Sequence, residues 1–173
     1  MGVHVSNMAG GEMTFEYAFA QLMEIEGYYS NDPDDAGGET KYGISKAQYP
    51  DLDIKNLSYK DAQEIYRRDY WNKLQCDSFT DDVISWELFD FGVNAGIEKS
   101  ARVLQEALNL MGYKVDVDRI IGPQTIHQTN IATVKYAKAL INAVRGFQFM
   151  HYYGLVLRQP KYSKFIKGWL ARI

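Results

Sequence analysis

The chain has 173 residues, 46% hydrophobic and 24% charged, with a formal net charge of -3; this excludes a collagen-like or wholly disordered chain, and the length suits one well-buried core or two small lobes. One cysteine (Cys76) and three dispersed histidines (His4, His127, His151) exclude an internal disulfide and argue against zinc, so the chemistry must come from carboxylates, hydroxyls or backbone, and no cofactor or metal is expected. No apolar run approaches the roughly 18 residues of a membrane span, so no membrane insertion is expected.

The modest net charge hides a division. Residues 1–98 carry 7 Lys/Arg against 19 Asp/Glu, net -12, and residues 99–173 carry 12 against 3, net +9. Either the second part faces a polyanion or the two parts attract each other.

Residues 1–12 are small and polar without apolar period and read as a loose leader; no basic flank with a following apolar stretch marks a signal peptide. From Thr14, an expected N-cap, Phe15, Ala18, Phe19 and Leu22 recur at helical spacing until Gly27. Residues 28–44 combine aspartates, Pro33 and glycines with a short extended run over 39–44, which predicts a loop and one small hairpin, the only sheet expected. Ser58 and Asp61 have capping-box spacing ahead of a helix carrying Ala62, Ile65, Tyr66 and Tyr70. Residues 82–91, nearly all apolar, predict a central buried helix ending around Gly92 and Gly96. Ala101, Leu104, Leu108 and Met111 mark a helix closed by Gly112, and Ile121-Gly122-Pro123 is a turn whose proline suits a helix start. A last long helix is expected from about Val134 past His151, with Leu140, Val144, Phe147 and His151 on one side and a tail at 167–170 docking back. The fold class is therefore mostly α with one small β-hairpin, arranged as the leader, a lobe over 13–98 and a helical region over 99–173 packed against it.

Glu26 is an odd place for a carboxylate. With Phe15 at zero and about 100° per residue, Phe19 lies near 40°, Leu22 near 340° and Glu26 near 20°, in the middle of the apolar stripe. It also occupies the last turn, where exposed carbonyls carry partial negative charge. Burial and the helix end both favour the protonated form, as a general acid requires; the alternative is a side chain solvated at a frayed end. Beyond it lie Asp32, Asp34, Asp35, Glu39 and Thr40. Glycosidic cleavage needs one carboxyl to protonate the leaving oxygen and a second group to activate water or stabilise an oxocarbenium ion, and this segment supplies both. Calcium binding is the rival: Asp32, Asp34 and Gly37 match three positions of an EF-hand loop, but Ala36 and Gly43 stand where further ligands belong. A solvated acidic turn is the third reading.

The run Glu26-Gly27-Tyr28-Tyr29-Ser30-Asn31-Asp32-Pro33-Asp34-Asp35-Ala36-Gly37-Gly38-Glu39-Thr40-Lys41-Tyr42-Gly43-Ile44 closely resembles the signature of glycoside hydrolase family 108, the N-acetylmuramidases related to phage lysozymes. The resemblance continues through Tyr70-Trp71 and the stretch from Leu88 to Gly96. Leu104-Gln105 with Asp118 and Ile121-Gly122-Pro123-Gln124-Thr125 is similar to the family's C-terminal peptidoglycan-binding-type region. Two positions depart from it: Tyr28 replaces the signature's second glycine, and Arg119 stands where a glycine usually follows the aspartate.

The resemblance implies a lysozyme-like α+β fold and a peptidoglycan hydrolase cutting the β-1,4 bond between N-acetylmuramic acid and N-acetylglucosamine. Glu26 matches the catalytic glutamate. Phage lysozymes place an aspartate about nine residues later and a threonine some five beyond that, which Asp35 and Thr40 fit; Asp32 and Asp34 remain substitutes for Asp35. Tyr29, Asp32, Tyr42, Trp71, Asp90 and Asn94 are candidate substrate contacts, because aromatic faces stack on sugars and amide or carboxylate groups bond N-acetyl groups. Trp71 and Tyr42 have core packing as their alternative, and Asp90 and Asn94 the tying of helices. Trp86 is expected in the core, and Cys76 as a small partly buried residue. The expected partner is the peptidoglycan glycan strand, with no nucleic acid; the protein is expected to act in the periplasm or wall after export or lysis. An endolysin or a secretion-associated muramidase fits, and the alternative is a non-catalytic wall-binding or secretion-accessory protein on the same fold.

Overall fold

A computed structural model describes residues 13–26, 29–30 and 38–173, the side chains of residues 25, 26, 29 and 30 excepted. The leader expected over 1–12 lies outside the described residues. The described residues divide into two units, 14–71 and 72–173 with Met13.

In the first unit, α1 spans Phe15–Glu26. It starts where expected, because the Thr14 hydroxyl accepts from the Tyr17 amide at 3.3 Å. Phe15, Ala18, Phe19 and Leu22 are all buried, so the helical spacing marked the right face. That face is aromatic on both sides of the contact: Phe15 meets Trp71 edge-on at 5.6 Å, and Phe19 packs on Tyr59 and Tyr66 at 5.0 and 5.4 Å. Removing the Phe19 ring would cost about 3–5 kcal/mol. The partner helix α2, Tyr59–Tyr66, opens with the expected capping box: the Ser58 side chain accepts from the Asp61 amide, and the Asp61 carboxylate from the Ser58 amide. The chain then widens into a π-helical turn, Arg67–Trp71, rather than continuing as α-helix.

The small sheet has three two-residue strands, one more than a lone hairpin. They are β1 (Tyr29–Ser30), β2 (Thr40–Lys41) and β3 (Ile44–Ser45), antiparallel in that order. Tyr29 faces Lys41 and Ser30 faces Thr40; on the other side Thr40 faces Ser45 and Lys41 faces Ile44. The two-residue loop between β2 and β3, Tyr42-Gly43, has φ of 53° and 75°. Positive φ at both positions is the primed-turn geometry that matches strand twist.

In the second unit, α3 (Asp82–Ala95) is the buried centre, as its apolar run predicts, with every residue from Ile84 to Gly92 buried. Asp81 caps it, accepting from the amides of Val83 and Ile84 at 3.0 and 3.1 Å. Against it lies α4, Ile97–Leu110. Gly92 faces Leu74 and α4, since an added Cβ would lie 2.6 Å from Leu74 Cδ1 and 3.6 Å from Ser100 Cβ. The Ser100 hydroxyl, fully buried, donates to the Leu88 carbonyl at 2.7 Å. Gly112, expected to close α4, has φ of +88°.

The next helix, α5, runs over Pro123–Arg158, with non-helical angles only at Tyr136. It therefore begins at the predicted proline rather than near Val134, where the long helix was expected to start. A 3-10 segment, Pro160–Phe165, leads into α6, Ile166–Leu170. The tail docks back as expected: Trp169 stacks on Tyr152 with ring centres 5.0 Å apart. Two buried acids on α3 receive arginines, Glu87 from Arg145 and Asp90 from Arg172, each at 2.6 Å.

Candidate functional site

The first unit holds both ends of the carboxylate-bearing segment. Glu26 is the last residue of α1, and the chain re-enters regular structure three residues later as β1. Register then sets Ser30 opposite Thr40, so the loop between them is closed at its base by the sheet. The Glu26 and Tyr29 side chains lie outside the described residues, as do Asp32, Asp34 and Asp35 entirely.

Thr40 is half-buried at that base, and its hydroxyl donates to the Gly38 carbonyl at 3.3 Å. Tyr42 sits one residue past β2, half-buried, its ring edge-on to Tyr59 at 5.8 Å. Its left-handed backbone is unusual for a bulky residue and costs about 1 kcal/mol. The Tyr66 hydroxyl holds that turn by donating to the Tyr42 carbonyl at 3.0 Å. Through Tyr66 and Phe19 the aromatic core of α1 and α2 thus fixes the hairpin that carries Thr40.

Trp71 requires a correction. It is 0% exposed, packed edge-on to Phe15, and offers no ring face to a sugar; the π-helical turn directs it into the core. Trp86 is in the core as expected, and Cys76 is more deeply buried than expected, its thiol pushed well up by desolvation.

In the second unit, Asp90 is 5% exposed and accepts from Arg172 Nη2 at 2.6 Å and Nε at 3.2 Å. This ties α3 to the chain end. Asn94, one turn on and exposed, donates to the Asp90 carbonyl at 3.1 Å. Glu87 lies on the same helix; burial pushes its carboxyl up, with Arg145 opposing.

Gln105 explains the motif around it. Completely buried on α4, it donates through Nε2 to Asp118 Oδ1 (2.7 Å), the Ile120 carbonyl (2.9 Å) and Thr125 Oγ1 (3.3 Å), and its Oε1 accepts from the Arg119 amide at 2.9 Å. One amide thereby clamps the 118–121 loop between α4 and α5. Asp118 also accepts from the Ile120 amide, and these bonds, the backbone one foremost, hold its carboxyl below the usual range. Arg119 has φ of +68°, which accounts for the glycine usual at that position.

The sequence reading missed a groove of about 770 Å³ in this unit, where Gly96 and the first turns of α4 meet the second half of α5. Lys99, Arg102, Arg119 and Arg158 line it with Glu98, Glu106 and His151. Its signal was present as Lys99 and Arg102 three apart on one helix and His151 and Arg158 seven apart on another, spacings that share a face. His151 is half-buried; desolvation first, then Lys99, Arg158 and Arg102, hold its imidazole below the usual value.

Residues 19–96 match the family described as glycosyl hydrolase 108, and residues 99–173 match one described as a predicted peptidoglycan domain. Among solved structures, that of Brucella abortus SagA is similar at 27% identity and a TM-score of 0.72, over 90% of this chain and 86% of that one. No curated protein matches the chain.

Proposed function

Residues 19–96 match glycosyl hydrolase family 108 and residues 99–173 a peptidoglycan domain, on a mostly helical, lysozyme-like fold, and from that premise we propose that the chain is an N-acetylmuramidase of that family. Peptidoglycan is its partner and the cell wall or periplasm its place of action. The bond cut is the β-1,4 linkage from N-acetylmuramic acid to N-acetylglucosamine, with Glu26 as general acid protonating the leaving oxygen. Asp35 stabilises the positive charge developing at the sugar or activates water, with Asp32 and Asp34 as its substitutes, and Thr40 positions that water. Residues 13–98 act as the catalytic lobe and 99–173 as the wall-binding region. Tyr29, Asp32, Tyr42 and Asn94 contact the sugars in this reading, and Asp90 keeps Arg172 in place.

The observation that carries the reading is the closed base of the acidic loop. The family match over residues 19–96 includes both Glu26 and Thr40, and pairing of Ser30 with Thr40 brings the threonine, fourteen residues beyond the acid, back to within four of it along the strand pairing. Product masses from digested peptidoglycan test the reading. Fragments with reducing muramic acid ends are expected; reducing glucosamine ends, or cleaved peptides with intact glycan strands, would reject it.

A further inference from the structure

The groove on α4 and α5 is lined mostly by the matched peptidoglycan domain, with residues 95–98 just ahead of it, and has no part in the chemistry assigned to Glu26. Its volume, about 770 Å³, falls in the range of small-ligand sites. Four cations and two acids line it, net +2. Arg102 is paired with Glu106 at 2.8 Å, and Arg119 reaches Glu98 only at 3.9 Å. Lys99 donates to the Ala95 carbonyl at 2.7 Å; it and Arg158 have no carboxylate partner among the described residues. The walls also carry Phe147 and Met150, the latter 59% exposed.

This lining favours one kind of occupant. A uniform polyanion would meet Glu98 and Glu106 as repulsive groups, and a neutral glycan would leave the excess cations unanswered. A short peptide with free carboxylates and an amino group satisfies both signs, its aliphatic parts lying on Phe147 and Met150. We infer that the groove binds the peptide part of the wall polymer, with Lys99 and Arg158 receiving its carboxylates and Glu98 or Glu106 its ammonium group. This rests on peptidoglycan being the partner and assigns its peptide part to this groove, apart from the glycan chemistry assigned to Glu26.

The test uses the full chain and the synthetic tripeptide L-alanyl-D-γ-glutamyl-L-lysine, with its carboxyl-amidated form as control, followed by NMR of the His151 ring protons; His151→Gln assigns the signals. Saturable binding that raises the His151 pKa is expected, since an anion offsets the Lys99, Arg102 and Arg158 charges that face this ring. Lys99→Gln with Arg158→Gln should weaken binding about tenfold, as should amidation. Unmoved His151 signals, equal binding of the amidated peptide, or equal binding by the double variant would overturn the assignment, as would displacement of the tripeptide by polyglycerol phosphate at equal charge concentration. Wall hydrolysis is measured on the same sample. Hydrolysis without peptide binding rejects the groove and leaves the muramidase reading; peptide binding without hydrolysis does the reverse.

Discussion

Replacing Gln105 by leucine keeps the side-chain volume and removes the amide that clamps the 118–121 loop. That amide has two N–H groups shared among Asp118, Ile120 and Thr125, and a carbonyl that accepts from the Arg119 amide. At most three full bonds are lost, each worth about 1 kcal/mol net when buried, so the expected cost is about 3 kcal/mol. With a urea slope of about 2 kcal/mol/M, the unfolding midpoint should fall by about 1.5 M. Gln105→Glu adds a pH signature. The new carboxyl, fully buried and facing the Asp118 oxygen and the Ile120 carbonyl, has its folded-state pKa raised above the unfolded value of about 4.3. Stability of that variant is then closest to wild type below about pH 4.3 and falls as pH rises towards the folded pKa. Urea titrations of all three proteins between pH 3.5 and 7.5 measure both effects. A midpoint loss under about 0.5 M for Gln105→Leu, or a Gln105→Glu deficit independent of pH, would refute the clamp.

Substitutions at three other positions separate strain, packing and chemistry. Arg119→Gly relieves a left-handed arginine at φ +68° and should stabilise by about 1 kcal/mol in a thermal melt; a lower Tm would contradict the backbone argument. Trp71→Phe, at a completely buried site, should cost about 2 kcal/mol in urea unfolding and leave the KM for peptidoglycan unchanged, whereas a KM rise in fully folded enzyme would restore a sugar contact. Thr40→Val should lower kcat by about a hundredfold with KM near wild type, and Thr40→Ser should keep most of the activity; equal rates for both would remove the hydroxyl from the mechanism.

Where the sequence was informative, one physical rule acted alone. The α1 face, the Ser58–Asp61 capping box and the buried run at 82–91 all follow from spacing or local hydrogen bonding, and all recur in the structure. The start of α5 was obscured because its buried stripe there is Thr125, Thr129, Ala132 and Thr133, mostly polar, while Ile131 and Val134 point outwards at 45% and 87% exposure. Hydrophobic period therefore appeared only past Tyr136. The third strand was invisible because two residues, Tyr29-Ser30, are too short for any alternation. Spacing leaves Trp71 open to a cleft as well as a core, because its burial depends on a π-helical turn that no local motif announces. Gln105 and Arg119 were noticed only by resemblance; their roles depend on contacts from α4 to a loop more than a dozen residues away.

The central claim is that Glu26 supplies the proton to the leaving sugar oxygen. Reducing-sugar release from purified peptidoglycan by wild type and by Glu26→Gln, with equal urea midpoints confirming that both are folded, tests it most directly. The account predicts at least about a hundredfold loss of release, with pelleting on insoluble wall retained through the second unit. A Glu26→Gln protein that releases sugar at the wild-type rate would contradict it.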